Sequence, residues 1–339
     1  MNTSPNSLIM ILIDGIGIAP VGAADPLRTS SSLLRQLHPH RTVPLPGNGW
    51  ASPTRADLDV PGLPQSATGH TTILTGVNAA QVLGRHLPGF PTVTLRAIIE
   101  AQNLLGRLRE NGRRAEYVNA YRPIHPLVLK RNLRSAMTVA AQTNGQRLRG
   151  VDDIREGRAL HHDFTNRILI DHGEALPLFT PRHAGRVLAG IARTLDLALF
   201  EYFLTDLTGH AQDSEEAREQ VKRIDGFLQG LLEEVDLDST HVLVCSDHGN
   251  LEDLSVRTHT RNPVPTLLWG PDARESAARI RSIDQIAHEV LRLLRCGNGS
   301  KDVSGFESRV PDLPLGTAPS EIRNPQSAIR NRANGGNNP

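Results

Sequence analysis

The sequence of 339 residues predicts an α/β protein: a three-layer sandwich around a mainly parallel central sheet, with at most a small cap. Three observations carry that prediction. Short apolar runs alternate with stretches of helical periodicity along most of the chain. The runs are nearly continuous rather than alternating, which suits strands covered on both faces. Several of them end at a carboxylate, at Asp14, Asp206 and Asp247, where open parallel sheets bind their ligands.

Leu8 to Ile13 is the first such run and stops at Asp14-Gly15. Residues 43 to 65 are rich in Pro and Gly without a period, and read as a loop that delivers the next segment to the same sheet edge. From Thr92 to Asn111, Leu95, Ile98, Ile99, Leu104, Leu105 and Leu108 keep helical spacing and predict one helix, with Asn111-Gly112 as its stop. Ala115 to Asn119 reads as a strand. Thr180-Pro181 places a cap and a first-turn proline at the start of a helix that feeds a strand from Leu199 to Thr205, ending at Asp206. Asp213 and Glu216 read as a capping pair before a helix with Ala217, Val221, Ile224, Leu228 and Leu231 on one face. Strands follow at His241 to Ser246 and Val264 to Trp269. A last helix, Ser282 to Arg295, buries Ile283, Ile286, Ala287, Val290 and Leu294. One domain over 1–296 is expected, with a possible small cap within 121–179. Residues 297–339 hold few apolar side chains and read as a disordered tail.

Composition narrows the function. A formal charge of +1 favours neither nucleic acid nor an acidic membrane as partner. Of 37 basic residues, Lys130, Lys222 and Lys301 alone are lysine, so a single arginine carries less functional weight than usual. Cys245 and Cys296 are too few for a disulfide framework or a thiolate zinc site. The first residues lack a basic segment and a cleavage site, and their apolar stretch is too short to span a bilayer, so a cytoplasmic protein is expected. No heptad pattern speaks to oligomeric state.

Seven metal-type ligands occur in order: Asp14, Ser66, Asp206 with His210, Asp247 with His248, and His259. Their order and chemistry point to a two-metal site for phosphate esters. Mixed carboxylate and imidazole donors suit Mn²⁺ or Zn²⁺ better than magnesium or calcium. Two such ions clamp the attacking and leaving oxygens of an in-line displacement. Asp206 and His210 are four apart, the spacing of a helical surface pair, but Gly209 and the preceding strand argue for a loop. Ser66 is the expected nucleophile, with Thr68 as its rival, and a helix after Ser66 would turn backbone N–H groups toward an incoming phosphate.

The segments LIDGIG, LPQSATGHTTILTG, FLTDLTGHAQD, VCSDHGNLED and RTHTRNPVPTLLWG together resemble the metalloenzyme branch of the alkaline phosphatase superfamily. The resemblance is to cofactor-independent phosphoglycerate mutase and phosphopentomutase, from about Leu8 to Gly270 apart from the middle section. It implies one metal on Asp206, His210 and His259. It implies a second on Asp14, Asp247 and His248, with the Ser66 hydroxyl as a further ligand and phosphoryl acceptor. Arg85, His86 and Arg131 are candidate substrate residues, the last beside Lys130 and Arg134. His70 is a candidate for touching substrate or for orienting a metal ligand. His161, His162 and Asp163 form a further polar cluster that reads as solvated surface. Phosphomutases of this group carry a large inserted domain that excludes water, whereas 139 residues separate Ser66 from Asp206 here. A phosphoesterase acting on a small phosphorylated substrate is therefore expected, with a phosphomutase and a catalytically silent metal-binding protein as alternatives.

Overall fold

The computed structural model describes residues 7–20, 25–28, 33–122 and 134–296. In chain order its elements are β1 (Ser7–Ile13), β2 (Val43–Leu45), β3 (Gly49–Thr54), α1 (Ser66–Thr75), α2 (Ala79–Leu83), α3 (Val93–Gln102), α4 (Leu104–Glu110), β4 (Ala115–Tyr117), β5 (Asn119–Ala120), α5 (Ala136–Thr143), α6 (Val151–Arg155), β6 (Leu160–His161), α7 (Arg167–Asp171), α8 (Pro181–Ala192), β7 (Leu197–Tyr202), α9 (Leu204–Ala211), α10 (Ser214–Glu234), β8 (Thr240–Cys245), β9 (Val264–Trp269), α11 (Ala273–Arg279) and α12 (Ile286–Leu293). The expected tail at 297–339 lies outside the described residues.

Seven strands form one sheet in the order β2-β3-β9-β8-β1-β7-β4. Its centre, β8-β1-β7-β4, is parallel, and β9, β3 and β2 continue it antiparallel. The two-residue period of a strand sends β1 into two cores. Leu8, Met10 and Leu12 face a cluster that includes Ile73, Ile99 and Val290 from α1, α3 and α12. Ile9, Ile11 and Ile13 face one that includes Leu188, Val221 and Leu228 from α8 and α10. Helices on both faces of the sheet give the expected three layers. No helix among the described residues is long and apolar enough to cross a membrane.

Several expectations need correction. Residues 43–65 contain β2 and β3. Their prolines hid them, but Pro44 sits on the edge strand and Pro53 lies beyond the stretch of β3 that pairs with β2. The single helix expected from Thr92 to Asn111 is two. Asn103 adopts an extended conformation and its side chain accepts from the Gly106 N–H, starting α4 afresh. Asp213 caps α10 as expected, but the Glu216 carboxylate accepts from Gln220 and Arg223 rather than closing a capping box. Within 121–179, α5 is no cap: Ala136, Met137, Val139, Ala140 and Ala141 belong to the main core. Leu160 and Phe164 join the core on the opposite face. What stands apart is a small cluster of Ala120, Val151, Ile154, Ala159 and Leu169.

α8 and α10 pack so closely that a Cβ on Gly230 would collide with the Arg182 carbonyl. The better helix propensity of alanine offsets that overpacking in part. Gly230→Ala should lower stability by about 2 kcal/mol in urea unfolding, and an unchanged midpoint would contradict this packing.

Candidate metal centre

β8, β1 and β7 are parallel neighbours, so the chain segments that leave them meet at one place above the sheet. β1 runs directly into Asp14, β8 into Ser246, Asp247 and His248, and β7 into the first turn of α9, which carries Asp206. Ser66 enters as the first residue of α1. Cross-ties fix these ends. The Asp14 N–H donates to the Tyr202 carbonyl (2.9 Å), the Thr205 hydroxyl to the Asp14 carbonyl, and the Ile16 N–H to Ser246 Oγ (3.0 Å). Gly69 lets α1 approach, because a Cβ there would lie 2.9 Å from Asp247 Cβ.

Two buried donor groups result, Asp206 with His248 and His259, and Asp14 with Asp247 and His248. His248 Nε2 lies 3.1 Å from Asp14 Oδ1, 3.3 Å from Asp247 Oδ2 and 2.9 Å from Ser66 Oγ. His210 Nε2 and His259 Nε2 each lie 3.4 Å from Asp206 Oδ1 and 3.1 Å from one another. The structure thus brings all seven sequence-predicted side chains together.

Outer contacts set the imidazole tautomers. His210 Nδ1 is 2.8 Å from the Arg257 carbonyl and His259 Nδ1 is 2.8 Å from the Pro64 carbonyl. A carbonyl can only accept, so each Nδ1 donates its hydrogen and each Nε2 is left to face Asp206, the arrangement usual for metal-ligating histidine. Asp14 Oδ1 and Asp247 Oδ2 are buried without a well-formed hydrogen bond, and imidazoles face them at 3.1 to 3.3 Å. Buried carboxylate oxygens so poorly bonded are costly, and a divalent cation would satisfy them. The histidines also balance that charge. Burial disfavours the charged form of His248, but Asp247, Asp14 and Asp206 outweigh it and push the ring up to about 10. The donor set therefore fits a divalent metal.

His70 lies outside this ring and orients it. Its Nε2 is 3.1 Å from Asp247 Oδ2 and 3.5 Å from Asp14 Oδ2, and its Nδ1 is 3.5 Å from Glu201 Oε1. Burial opposes charge on this ring too, and the carboxylates of Asp247 and Asp14 still hold it well above the usual histidine range. Glu201 accepts in turn from the Tyr117 hydroxyl (2.9 Å).

Other expectations change. Asp206 and His210 share a helix, α9, not a loop, and their four-residue spacing points both inward. The N–H groups of Ala67 and Thr68 do not await phosphate, since both donate to the Leu87 carbonyl (3.1 and 3.4 Å). Thr68 is committed as well, donating to the Gln65 carbonyl and accepting from the Leu87 N–H. His86 Nε2 sits 3.1 and 3.2 Å from the carbonyls of Asp57 and Val60, so that ring holds a loop. Arg85 is exposed, with no hydrogen bond or ion pair to the centre. Arg131 lies outside the described residues. His161 and Asp163 are not solvated surface: both are buried and joined at 2.7 Å, with His162 tilted against His161 and stacked on Phe203.

Sequence reasoning missed three supporting side chains. Asn250 donates to the Asp206 carbonyl and to Asp206 Oδ1 (2.7 Å). Glu252 accepts from the N–H groups of Gly17 and Asn250 and from Thr260 and Asn262, tying the β1 and β8 loops together. Glu201 is the third. A lone carboxylate inside the apolar run of β7 was the available signal for it.

Comparison with known proteins agrees with this geometry. Residues 184–297 match the family model described as Metalloenzyme superfamily. The chain is 35% identical over 107 residues to a 2,3-bisphosphoglycerate-independent phosphoglycerate mutase of Haloquadratum walsbyi, covering 29% of this chain and 21% of that protein. The match thus spans about a fifth of that relative's length. The PH0037 protein from Pyrococcus horikoshii has a similar structure, with a TM-score of 0.53 at 16% identity over 86% of this chain and 97% of that one. Alkaline phosphatase from the Antarctic bacterium TAB5 gives 0.50 at 12% identity over 87% and 99%. At these identities the structural likeness is one of fold. Fold and donor set together define an α/β protein with a divalent-metal centre. Over residues 184–297 the chain is similar to the metalloenzyme branch of the alkaline phosphatase superfamily, and its fold is similar to that of an alkaline phosphatase.

A ligand that binds the folded state at about a hundred times its Kd adds about 2.7 kcal/mol. MnCl2 added to chelator-treated protein should therefore raise Tm by roughly 5 °C. Asp206→Asn should lose most of that rise. A wild-type Tm indifferent to Mn²⁺ and Zn²⁺ would contradict a metal-binding role for this centre.

Proposed function

We propose that the chain is a metal-dependent phosphoesterase that cleaves a small phosphate ester through a phosphoserine on Ser66. The observation that carries this reading is the position of the Ser66 hydroxyl, 2.9 Å from His248 Nε2 at the junction of both donor groups. Asp206, His210 and His259 would hold one divalent ion, and Asp14, Asp247 and His248, with Ser66 Oγ, the other. Mn²⁺ or Zn²⁺ suits these donors, and bound there it would supply positive charge against that developing on the phosphoryl oxygens.

The chain's own part is positional. α1 fixes Ser66 at the mouth of the sheet, and His248 orients its hydroxyl. His70 and Asn250 hold Asp14, Asp247 and Asp206 in place. Ser66 Oγ forms a bond to phosphorus as the ester oxygen leaves with the alcohol, and water then displaces Ser66 to release inorganic phosphate. Hydrolysis rather than transfer is favoured by the small size of the side cluster built around Val151, Ile154 and Leu169. Among the described residues of 121–179 it is a small apolar cluster outside the two main cores. A cytoplasmic setting and a small phosphorylated substrate, with neither nucleic acid nor membrane as partner, accompany this reading.

A phosphomutase is the second reading, supported by the mutase named among the sequence relatives. Metal-loaded protein assayed on aryl phosphate monoesters and diesters separates the possibilities. Release of phenol that falls roughly a thousandfold in Ser66→Ala is expected for the hydrolase. Phosphoryl transfer to an added sugar alcohol or hydroxy acid that outpaces release to water would favour the mutase. Metal binding without turnover on any ester would leave a silent binding protein.

A further inference from the structure

A cavity lies at the other end of the sheet. It measures about 560 Å³ and opens along the outer edge of β4, below the start of β7. Thr194 and Leu195, at its floor, precede β7, whereas Asp206 follows that strand. Six residues of strand separate the two places by roughly 20 Å. The wall opposite β4 is held rigidly. The Gln146 side chain exchanges hydrogen bonds with the N–H and the carbonyl of Tyr117, so it completes the edge strand as a partner strand would. Arg147 grips Asp153 through two hydrogen bonds of 2.7 and 2.8 Å, and Asp153 also accepts from the Gly150 N–H and from Arg158.

Charge in this cavity is unbalanced. Arg109, Arg113, Arg114, Arg147, Arg149 and Arg158 line it, against the carboxylates of Glu116 and Asp153. Asp196 and Glu156 add two more carboxylates through their pairs with Arg113 and Arg158, which leaves an excess of two positive charges. The excess is localised. Arg149 is paired with Glu116, while Arg109 bonds a backbone carbonyl, that of Asn144, and Arg114 reaches Asp196 at 3.9 Å with its side chain largely exposed. Guanidiniums converging on one concavity without matching carboxylates suit a ligand with two phosphate groups, because each fork can take two phosphoryl oxygens. The volume is that of an ordinary small-molecule site, and its charged lining does not suit an apolar ligand.

We infer that this cavity binds a small bisphosphorylated molecule, at a site separate from the metal centre. Its occupant would bridge β4, the end of α4 and the segment before α6. The site does not depend on the proposed reaction, and its test needs no turnover.

Fructose 1,6-bisphosphate is the probe, titrated by calorimetry into the Ser66→Ala chain loaded with Mn²⁺, at about 150 mM salt so that weak surface attraction is screened. One saturable event is expected, weakened at least tenfold when Arg109→Ala and Arg114→Ala are added. Both arginines are exposed, so an unchanged Tm should accompany that loss. No saturable binding, or binding indifferent to the two substitutions, would overturn the inference, the latter because the probe would then sit at the metal centre. Duplex DNA that binds more tightly than the bisphosphate and is lost in the same variant would also overturn it, making the cavity part of a nucleic-acid surface.

Discussion

The fold is arranged around one electrostatic demand. Asp14, Asp206 and Asp247 are buried side by side where three parallel strands end, and Glu201 lies just beneath them. Buried carboxylates in such number cannot all stay ionised without compensating cations. Three imidazoles stand among them, with His248 stacked on His259 at 3.7 Å between ring centroids, and His70 bridges from below. The backbone ties of Asp14 to Tyr202 and of Ile16 to Ser246, and the Glu252 bracket, keep this charge from dispersing. They gain their meaning from the cation the cluster is shaped to hold.

Much of this was legible because burial and chemistry coincide in the sequence. β1, β8 and β9 are largely apolar runs, and the polar residues that follow β1 and β8 had to lie at a sheet edge. Where a local signal pointed elsewhere, the reading failed. Pro44 and Pro53 disguised two strands, because proline excludes a central ladder but not an edge position. Gly209 argued for a loop, yet α9 runs through it, since packing outweighs a cost of about 1 kcal/mol for glycine in a helix. The free N–H groups expected at the start of α1 are taken by the Leu87 carbonyl, a partner 20 residues away from Ala67 that no helical pattern reveals. His161 and Asp163 looked like surface because two histidines and an aspartate have no apolar period, but they satisfy each other and can be buried.

The same sheet explains why the chemistry and the arginine-lined cavity stay apart. Parallel strands have two unlike ends. The carboxyl ends of β1, β7 and β8 hold the acidic donors, and the amino ends of β4 and β7 lie beside the basic cavity. An acidic cluster that gathers cations and a basic one that gathers anions would neutralise each other at contact distance. Separated by the length of a strand and screened by salt, each keeps its own ligand class.

The central claim is that the seven converging side chains hold two divalent ions side by side. Crystals of the Mn²⁺-loaded protein, with anomalous scattering measured at the manganese edge, test it directly. The account predicts two peaks roughly 3.5–4 Å apart, one against Asp206, His210 and His259 and the other against Asp14, Asp247 and His248. A single peak, or peaks away from these residues, would contradict it.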